Sequence, residues 1–217
     1  MKSTNKQVPK LPQVEVTRVG CLPEGLFCLY TKMMNTKYYY LSGLGDSLDT
    51  FRRIMLWYHR VRGRDIRLIP MRWSDTEETY QQKQQRILAT IEKHKDREVV
   101  LIGESAGGAM ALRTLLDCSD TIDRIVTICG YNHTATALDS RYRSVNPALV
   151  TTVEANDRDK NIFDSYADRI MTLYAAEDAV VKSKYSRIEG ARSASIPGKV
   201  HQLAIVRIVL LHSSLWQ

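Results

Sequence analysis

Apolar and polar residues alternate along the first part of the chain. Residues 14–19 follow this two-residue period, residues 23–25 (Pro-Glu-Gly) have the composition of a turn, and residues 26–30 are again strand-like. Alternation of this kind is typical of a strand with one buried face. The pattern predicts that the chain opens with a β-hairpin.

After the hairpin, short apolar runs alternate with segments of helical period. The runs are at 38–41, 66–69, 99–102, 125–129 and 170–175, and helical spacing recurs at 48–58, 76–93, 110–116 and near the C-terminus. In the first helix Leu48, Phe51, Met55 and Tyr58 share one side, which we expect to pack on the sheet. This order predicts an α/β fold: a mostly parallel sheet with helices on both faces and right-handed crossovers.

Length and composition fit an ordinary globular protein. The chain has 217 residues, 44% hydrophobic and 25% charged, with no repeat, linker or low-complexity tract. A chain of this length buries a sizeable core without disulfides or metals. We therefore expect one domain, 1–217.

The net charge is +7, and much of it is concentrated next to the first helix, where the basic residues are Arg52, Arg53, His59, Arg60, Arg62 and Arg64. Such a cluster is suited to nucleic acid or to an anionic membrane surface. Since no nucleic-acid motif accompanies it, the interpretation we favour is a solvated helix face.

Cysteine usage and hydropathy indicate the compartment. Cys21, Cys28, Cys118 and Cys129 lack metal-ligand spacing, so we expect reduced, structural thiols, no metal and no cofactor. The N-terminus lacks a signal-peptide core, and the most apolar stretch, 203–211, is too short to span a bilayer. These features predict a cytoplasmic protein without a transmembrane segment.

A glycine-rich motif carries the chemistry. Gly103-Glu104-Ser105-Ala106-Gly107-Gly108 has the form G-x-S-x-G and lies between an apolar strand and an apolar-periodic helix. A serine at such a turn projects its hydroxyl into a cleft, while the glycines remove side chains that would collide with it. The amide of Ala106 then lies at a helix N-terminus, where it favours an oxyanion. A glycine-rich turn with an incidental serine is the alternative.

On these residues, the sequence resembles the α/β-hydrolase family from about the first hairpin to the final helix. The family's triad runs in the order serine, acid, histidine, with the acid after a later strand. The resemblance implies Ser105 as nucleophile and Asp178 as acid, with Glu177 as the rival acid. His201 is the histidine that satisfies the order, because it follows the acid and precedes the last helix.

The resemblance also implies a second oxyanion donor, the amide of Leu44, in a loop often written His-Gly-x. Ser42 stands in the place of that histidine, which leaves open how the loop is braced. A short cap segment is expected at about 131–167. It contains Arg141 and Arg143, which we interpret as solvated surface residues; binding of an acidic substrate is the alternative.

The predicted function is hydrolysis of a small-molecule carboxylic ester or thioester through an acyl-enzyme. An amidase or acyltransferase uses the same triad, and a catalytically silent ligand-binding protein uses the same fold. The sequence gives no indication of oligomeric state, and we expect no specific nucleic-acid partner.

Overall fold

The computed structural model describes residues 35–94 and 97–216, and the predicted N-terminal hairpin, with Cys21 and Cys28, lies outside these residues. Six strands form one sheet in the order β2-β1-β3-β4-β5-β6, and every neighbouring pair is parallel. The strands are β1 (Thr36–Leu41), β2 (Asp65–Ile69), β3 (Glu98–Glu104), β4 (Arg124–Ile128), β5 (Ile170–Ala175) and β6 (Arg192–Ile196).

The connections contain the helices α1 (Asp49–Val61), α2 (Tyr80–Ile91), α3 (Ala106–Asp117), α4 (Arg141–Val145), α5 (Pro147–Arg158), α6 (Ser183–Ser186) and α7 (His201–Leu211). Short 3₁₀ segments lie at Asp46–Leu48, Glu92–His94, Ser119–Thr121, Ala135–Ala137, Lys160–Arg169 and Ser213–Trp216. Helix α2 begins later than the predicted 76, because Thr79 and Gln82 form a reciprocal capping box that fixes its start. In the described part of the chain, no helix is both long and apolar enough to cross a membrane.

Two apolar layers hold the helices on the sheet. Successive residues of β1 point to opposite faces, so Tyr39 enters one layer and Tyr40 the other. The layer with Tyr39 also contains apolar residues of α2, α3 and α5, and the layer with Tyr40 contains those of α1 and α7. Helices therefore cover both faces of a parallel sheet, which confirms the predicted fold class.

Strand β6 was not predicted. Its sequence, Arg-Ser-Ala-Ser-Ile, has no apolar run, and only Ile196 is buried. The strand lies at the edge of the sheet and is paired to β5 alone. An edge strand needs less apolar surface than a central one, so the hydrophobic pattern gives no signal for it.

The orientation of α1 differs from the prediction. The helix is present, but Leu48, Phe51 and Tyr58 are exposed, whereas Arg52, Met55, Leu56 and His59 are buried. Arg52 and His59 point inward because each has a polar partner in the interior. Arg52 pairs with the carboxylate of Glu104 on β3, and His59 hydrogen-bonds with the carbonyl of Val209. The basic cluster is thus not one solvated face, since two of its members lie in the interior.

The predicted cap segment, 131–167, has two structural parts. Helix α5 packs on α3, and its Leu149 and Val153 belong to the same apolar layer. Asn156 adds a hydrogen bond from its side chain to the carbonyl of Ala109, at 3.0 Å. Of the remainder, residues 131–146 with the short helix α4 lie near the serine motif, and residues 159–167 lead to β5.

Candidate active site

Ser105 lies at a sharp turn between β3 and α3. Its backbone has φ 49° and ψ −116°, a region that costs non-glycine residues free energy and is populated mainly at functional sites. A Cβ on Gly103 would be 2.4 Å from the carbonyl oxygen of Gly107. A Cβ on Gly107 would be 2.4 Å from that of Leu41. Only glycine permits this approach of α3 to the sheet, so the motif sets the geometry of the turn.

The structure brings Ser105, His201 and Asp178 into one hydrogen-bonded chain. His201 is the first residue of α7, and Asp178 lies in the loop after β5. The distance from Nε2 of His201 to Oγ of Ser105 is 3.0 Å, and that from Nδ1 to Oδ2 of Asp178 is 2.7 Å. Both His201 and Asp178 are buried. The order of contacts is serine, histidine, acid, as a proton-transfer chain requires.

The rival acid points elsewhere. Glu177 is exposed and its carboxylate pairs with Nζ of Lys199 at 3.0 Å. Oδ1 of Asp178 accepts hydrogen bonds from the amides of Val180 and Val181, at 2.8 and 2.9 Å, which leaves Oδ2 for His201. Burial opposes ionisation of Asp178, but the hydrogen bonds from His201 and from these two amides outweigh it and lower the pKa. The carboxylate is therefore ionised at neutral pH and favours Nδ1–H on the ring.

A thiol stands beside this pair. Burial, together with the negative charge of Asp178, raises the pKa of Cys129 to about 12, so the thiol stays protonated at neutral pH. Donor atoms of Cys129, Asp178 and His201 all lie within 4.8 Å of one another, a spacing that suits a metal ion. Metal ligation needs a thiolate and would compete with the bond between His201 and Asp178. The arrangement fits a hydrogen-bonded pair with a neutral thiol neighbour better than a metal centre.

Leu44 and Ala106, the predicted oxyanion donors, line the same cavity as Ser105. The cavity has a volume of about 370 Å³, within the usual range for small-molecule sites. Its other lining residues come from residues 131–149 and from the loop after Asp178: Tyr131, Ala137, Leu138, Asp139, Arg141, Tyr142, Leu149, Ala179, Val180 and Val181. Arg141 is largely exposed and pairs with Asp139 at 2.7 Å, so its charge is already partnered.

The loop that carries Leu44 is braced by Ser42 and Arg52, through contacts that the sequence analysis did not identify. Ser42 is buried. Its hydroxyl accepts a hydrogen bond from the amide of Met71 at 3.0 Å, and its carbonyl accepts one from the indole N–H of Trp73 at 2.8 Å. The guanidinium of Arg52 donates to the carbonyls of Leu44 and Gly45, at 3.1 and 2.9 Å. Two carbonyls of the loop are thus fixed from behind the cavity.

Arg52 is itself fixed by Glu104, the residue before the candidate nucleophile. Nε of Arg52 lies 3.0 Å from Oε2 of Glu104, and a second nitrogen pairs with Oε1. The hydroxyl of Tyr40 donates to Oε2 at 2.7 Å, and Asp49 accepts another N–H of Arg52 at 2.8 Å. An arginine and a glutamate buried together need such mutual pairing. We call Arg52 and Glu104 the clamp pair. Nothing in the spacing of the two residues signals their contact.

The comparisons with solved structures agree with this architecture. Est1E from Butyrivibrio proteoclasticus is 14% identical, with a TM-score of 0.63 over 85% of this chain and 86% of its own. A bromoperoxidase from Bacillus anthracis is 14% identical, with a TM-score of 0.59 over 83% and 90%. Mouse alpha/beta hydrolase domain-containing protein 10 is 13% identical, with a TM-score of 0.57 over 83% and 88%.

Comparison with protein-family models and with curated protein sequences found no match to the chain. At identities of 12–15% the structural likeness defines the fold. The chain has the α/β-hydrolase fold, as its resemblance to that family implied.

Proposed function

We propose that the chain is a serine hydrolase that cleaves carboxylic esters or thioesters through an acyl-enzyme. The observation that carries the proposal is the hydrogen-bonded chain of Ser105, His201 and Asp178, which ends on a cavity. Each contact has the length and the order that activation of a serine hydroxyl requires. The strained backbone at Ser105 supports the same interpretation.

In the proposed mechanism, Nε2 of His201 accepts the proton of Ser105 as Oγ attacks the substrate carbonyl. Asp178 stabilises the imidazolium that forms, and the amides of Ala106 and Leu44 stabilise the oxyanion. Collapse of the tetrahedral species expels the alcohol or thiol, which takes the proton from His201. Nε2 of His201 then removes a proton from a water molecule as the water attacks the acyl-enzyme. When the second tetrahedral species collapses, the bond between the acyl carbon and Oγ of Ser105 breaks, Oγ takes the proton back from His201, and the acid is released.

The cavity supports esters with acyl groups of moderate size. Apolar side chains, among them Leu44, Leu138 and Leu149, line part of it, together with Tyr131 and Tyr142. Ser105, Asp139 and Arg141 contribute polar groups to the same cavity, and a cleft that combines apolar surface with a few polar groups is the usual form of a small-molecule site. Its volume supports a small ester rather than a polymer.

The test is labelling with a fluorophosphonate probe, which reacts with activated serines. We expect labelling of the wild type and of Ser214→Ala, an exposed serine on the last 3₁₀ segment, and no labelling of Ser105→Ala. The wild type should also cleave p-nitrophenyl butyrate before it reacts with the probe, and the labelled protein should no longer do so. Equal labelling of the wild type and Ser105→Ala, or of neither, would remove the proposal, and absent labelling with retained binding of an ester analogue would favour a silent ligand-binding protein.

A further inference from the structure

Helices α1 and α7 present large apolar side chains to solvent. The exposed fractions are Phe51 46%, Ile54 62%, Trp57 61%, Val61 58%, Leu203 66% and Leu211 71%. We call this set the outer face. A single exposed leucine needs no explanation, but six large apolar side chains on two neighbouring helices mark an interaction surface.

The two helices pack side by side, so the outer face is continuous. Nε2 of His59 on α1 lies 2.9 Å from the carbonyl of Val209 on α7. Phe51 from α1 and Val206 from α7 line the same shallow groove between the helices. Leu203 lies about one turn from Val206 on α7, and Leu211 lies about two turns beyond Leu203 at the end of the helix.

The charges around the outer face are of one sign. Arg53 and Arg60 on α1, Arg62 directly after it, and Arg207 on α7 are all exposed. The two helices contain one acidic residue, Asp49, and its carboxylate accepts a hydrogen bond from the buried Arg52. In the part of the chain that the structure describes, no acidic side chain forms an ion pair with any of the four exposed arginines.

These charges decide between possible occupants. A two-fold contact between copies places the same surface against itself, so it would oppose arginines without acidic partners. A nucleic acid would satisfy the arginines but would leave Ile54 and Val61 without apolar contact. An anionic lipid surface satisfies both, because acyl chains receive the apolar residues and phosphates receive the guanidiniums.

We propose that the outer face of α1 and α7 binds anionic lipid membranes peripherally. Trp57 and the neighbouring Tyr58 suit the headgroup level, where aromatic rings with a polar edge are favoured. The guanidinium of Arg62 lies 5.3 Å from the ring centre of Tyr58 and 3.2 Å from its hydroxyl, so the arginine extends along the aromatic surface with its charge outward. The inference does not depend on the hydrolytic function.

The experiment uses the full chain and sedimentation with sucrose-loaded vesicles. Wild type should bind vesicles in which about a third of the lipid is phosphatidylglycerol, and should not bind pure phosphatidylcholine. Raising salt from about 0.1 M to about 1 M shortens the screening length from roughly 10 Å to roughly 3 Å, and binding should fall accordingly. Trp57 provides a direct readout, since Trp73 and Trp216 are buried. Its emission should shift to the blue on binding and be quenched by brominated acyl chains, and Trp57→Phe should abolish both signals.

Variants separate the apolar and charged contributions. Ile54→Ser/Val61→Ser should weaken binding at least about tenfold. Each arginine near an anionic leaflet is worth about a fivefold change, so Arg53→Glu/Arg207→Glu should lose about 25-fold or more. The matched controls are Ile162→Ser and Arg158→Glu, which change an exposed isoleucine and an exposed arginine outside the outer face and should bind as wild type.

Three results would overturn the proposal, provided that all variants keep the wild-type melting temperature. Wild type that stays in the supernatant with anionic vesicles excludes lipid binding. Unchanged binding by Ile54→Ser/Val61→Ser locates the contact elsewhere. A stable dimer in sedimentation velocity that Ile54→Ser/Val61→Ser dissociates assigns the outer face to a second copy of the chain.

Discussion

Replacing Arg52 with methionine tests the clamp pair. The substitution keeps an unbranched apolar stem and most of the volume of the side chain, but it leaves Glu104 buried without its cation and removes the donors to the carbonyls of Leu44 and Gly45. The side chains of Arg52 and Glu104 are 3% and 7% exposed, so solvent does not screen the loss. The change should therefore affect both stability and the geometry of the loop that carries Leu44.

The expected magnitude follows from the burial. Removing one partner of a buried ion pair costs about 3–5 kcal/mol, because the remaining charge is uncompensated. In a domain of this size each 1 kcal/mol lowers the melting temperature by about 2–4 °C, so Arg52→Met should melt about 6–20 °C below the wild type. Arg53→Met, at the exposed neighbouring position, should stay within about 0.5 kcal/mol.

A second variant separates stability from positioning. Arg52→Met/Glu104→Gln removes the stranded charge, so it should recover a large part of the lost free energy of unfolding. It does not restore the donors to Leu44 and Gly45, so ester turnover measured below the melting transition should stay low in both variants. The loss should be in kcat, up to the roughly hundred- to thousandfold value of one oxyanion donor, with a smaller change in KM.

Urea unfolding at 20 °C and initial rates on p-nitrophenyl butyrate measure the two effects. The reasoning is refuted if Arg52→Met unfolds within about 1 kcal/mol of the wild type, because a buried carboxylate left alone must cost more. It is also refuted if Arg52→Met/Glu104→Gln regains wild-type kcat. The loop would then depend on the absence of an unpaired charge at Glu104 and not on the hydrogen bonds from Arg52 to Leu44 and Gly45.

Two further predictions concern ionisable groups. Asp178→Asn should lower kcat about ten-thousandfold while Glu177→Gln leaves it nearly unchanged, and the reverse ranking in ester assays would show that Glu177 is the acid. Burial, together with the nearby charge of Arg64, lowers the pKa of His59 from 6.5 to about 4, so between these values the unfolded chain takes up a proton that the folded chain does not. Stability should therefore fall as pH decreases from 6.5 to about 4, and His59→Gln should flatten this part of the urea-midpoint profile; a variant with the wild-type slope would contradict the assignment.

The parts of the structure that sequence predicted are those with local causes. Val99 to Ile102 form an unbroken apolar run, which a central strand buried on both faces requires. The turn at Ser105 needs glycine on both sides, and the order of acid and histidine follows from the resemblance. The strand and the glycine turn are signals that lie within a few residues, so the chain displays them directly, whereas the order of acid and histidine came from the family resemblance alone.

The parts that sequence missed depend on distant partners. Arg52 and Glu104 are separated by 52 positions, and only the folded sheet brings them together. The thiol of Cys129 lies beside Asp178 because β4 and β5 are neighbours, and its sequence context suggested only a small apolar residue. Pattern rules assign polar residues to solvent, so they fail where the interior supplies a specific polar partner.

Helix α1 departs from the usual pattern twice, and the two departures have separate causes. Its inward Arg52 and His59 are explained by Glu104 and by the carbonyl of Val209. Those contacts place no demand on the outer side, where a soluble helix accepts polar residues at little cost in stability. The exposed Ile54 and Trp57 are therefore not a consequence of the buried arginine, and the proposed membrane contact accounts for them separately. Because the clamp pair is internal and the outer face external, the substitutions that test one should leave the other unchanged: Arg52→Met should retain vesicle binding, and Ile54→Ser should retain turnover in solution.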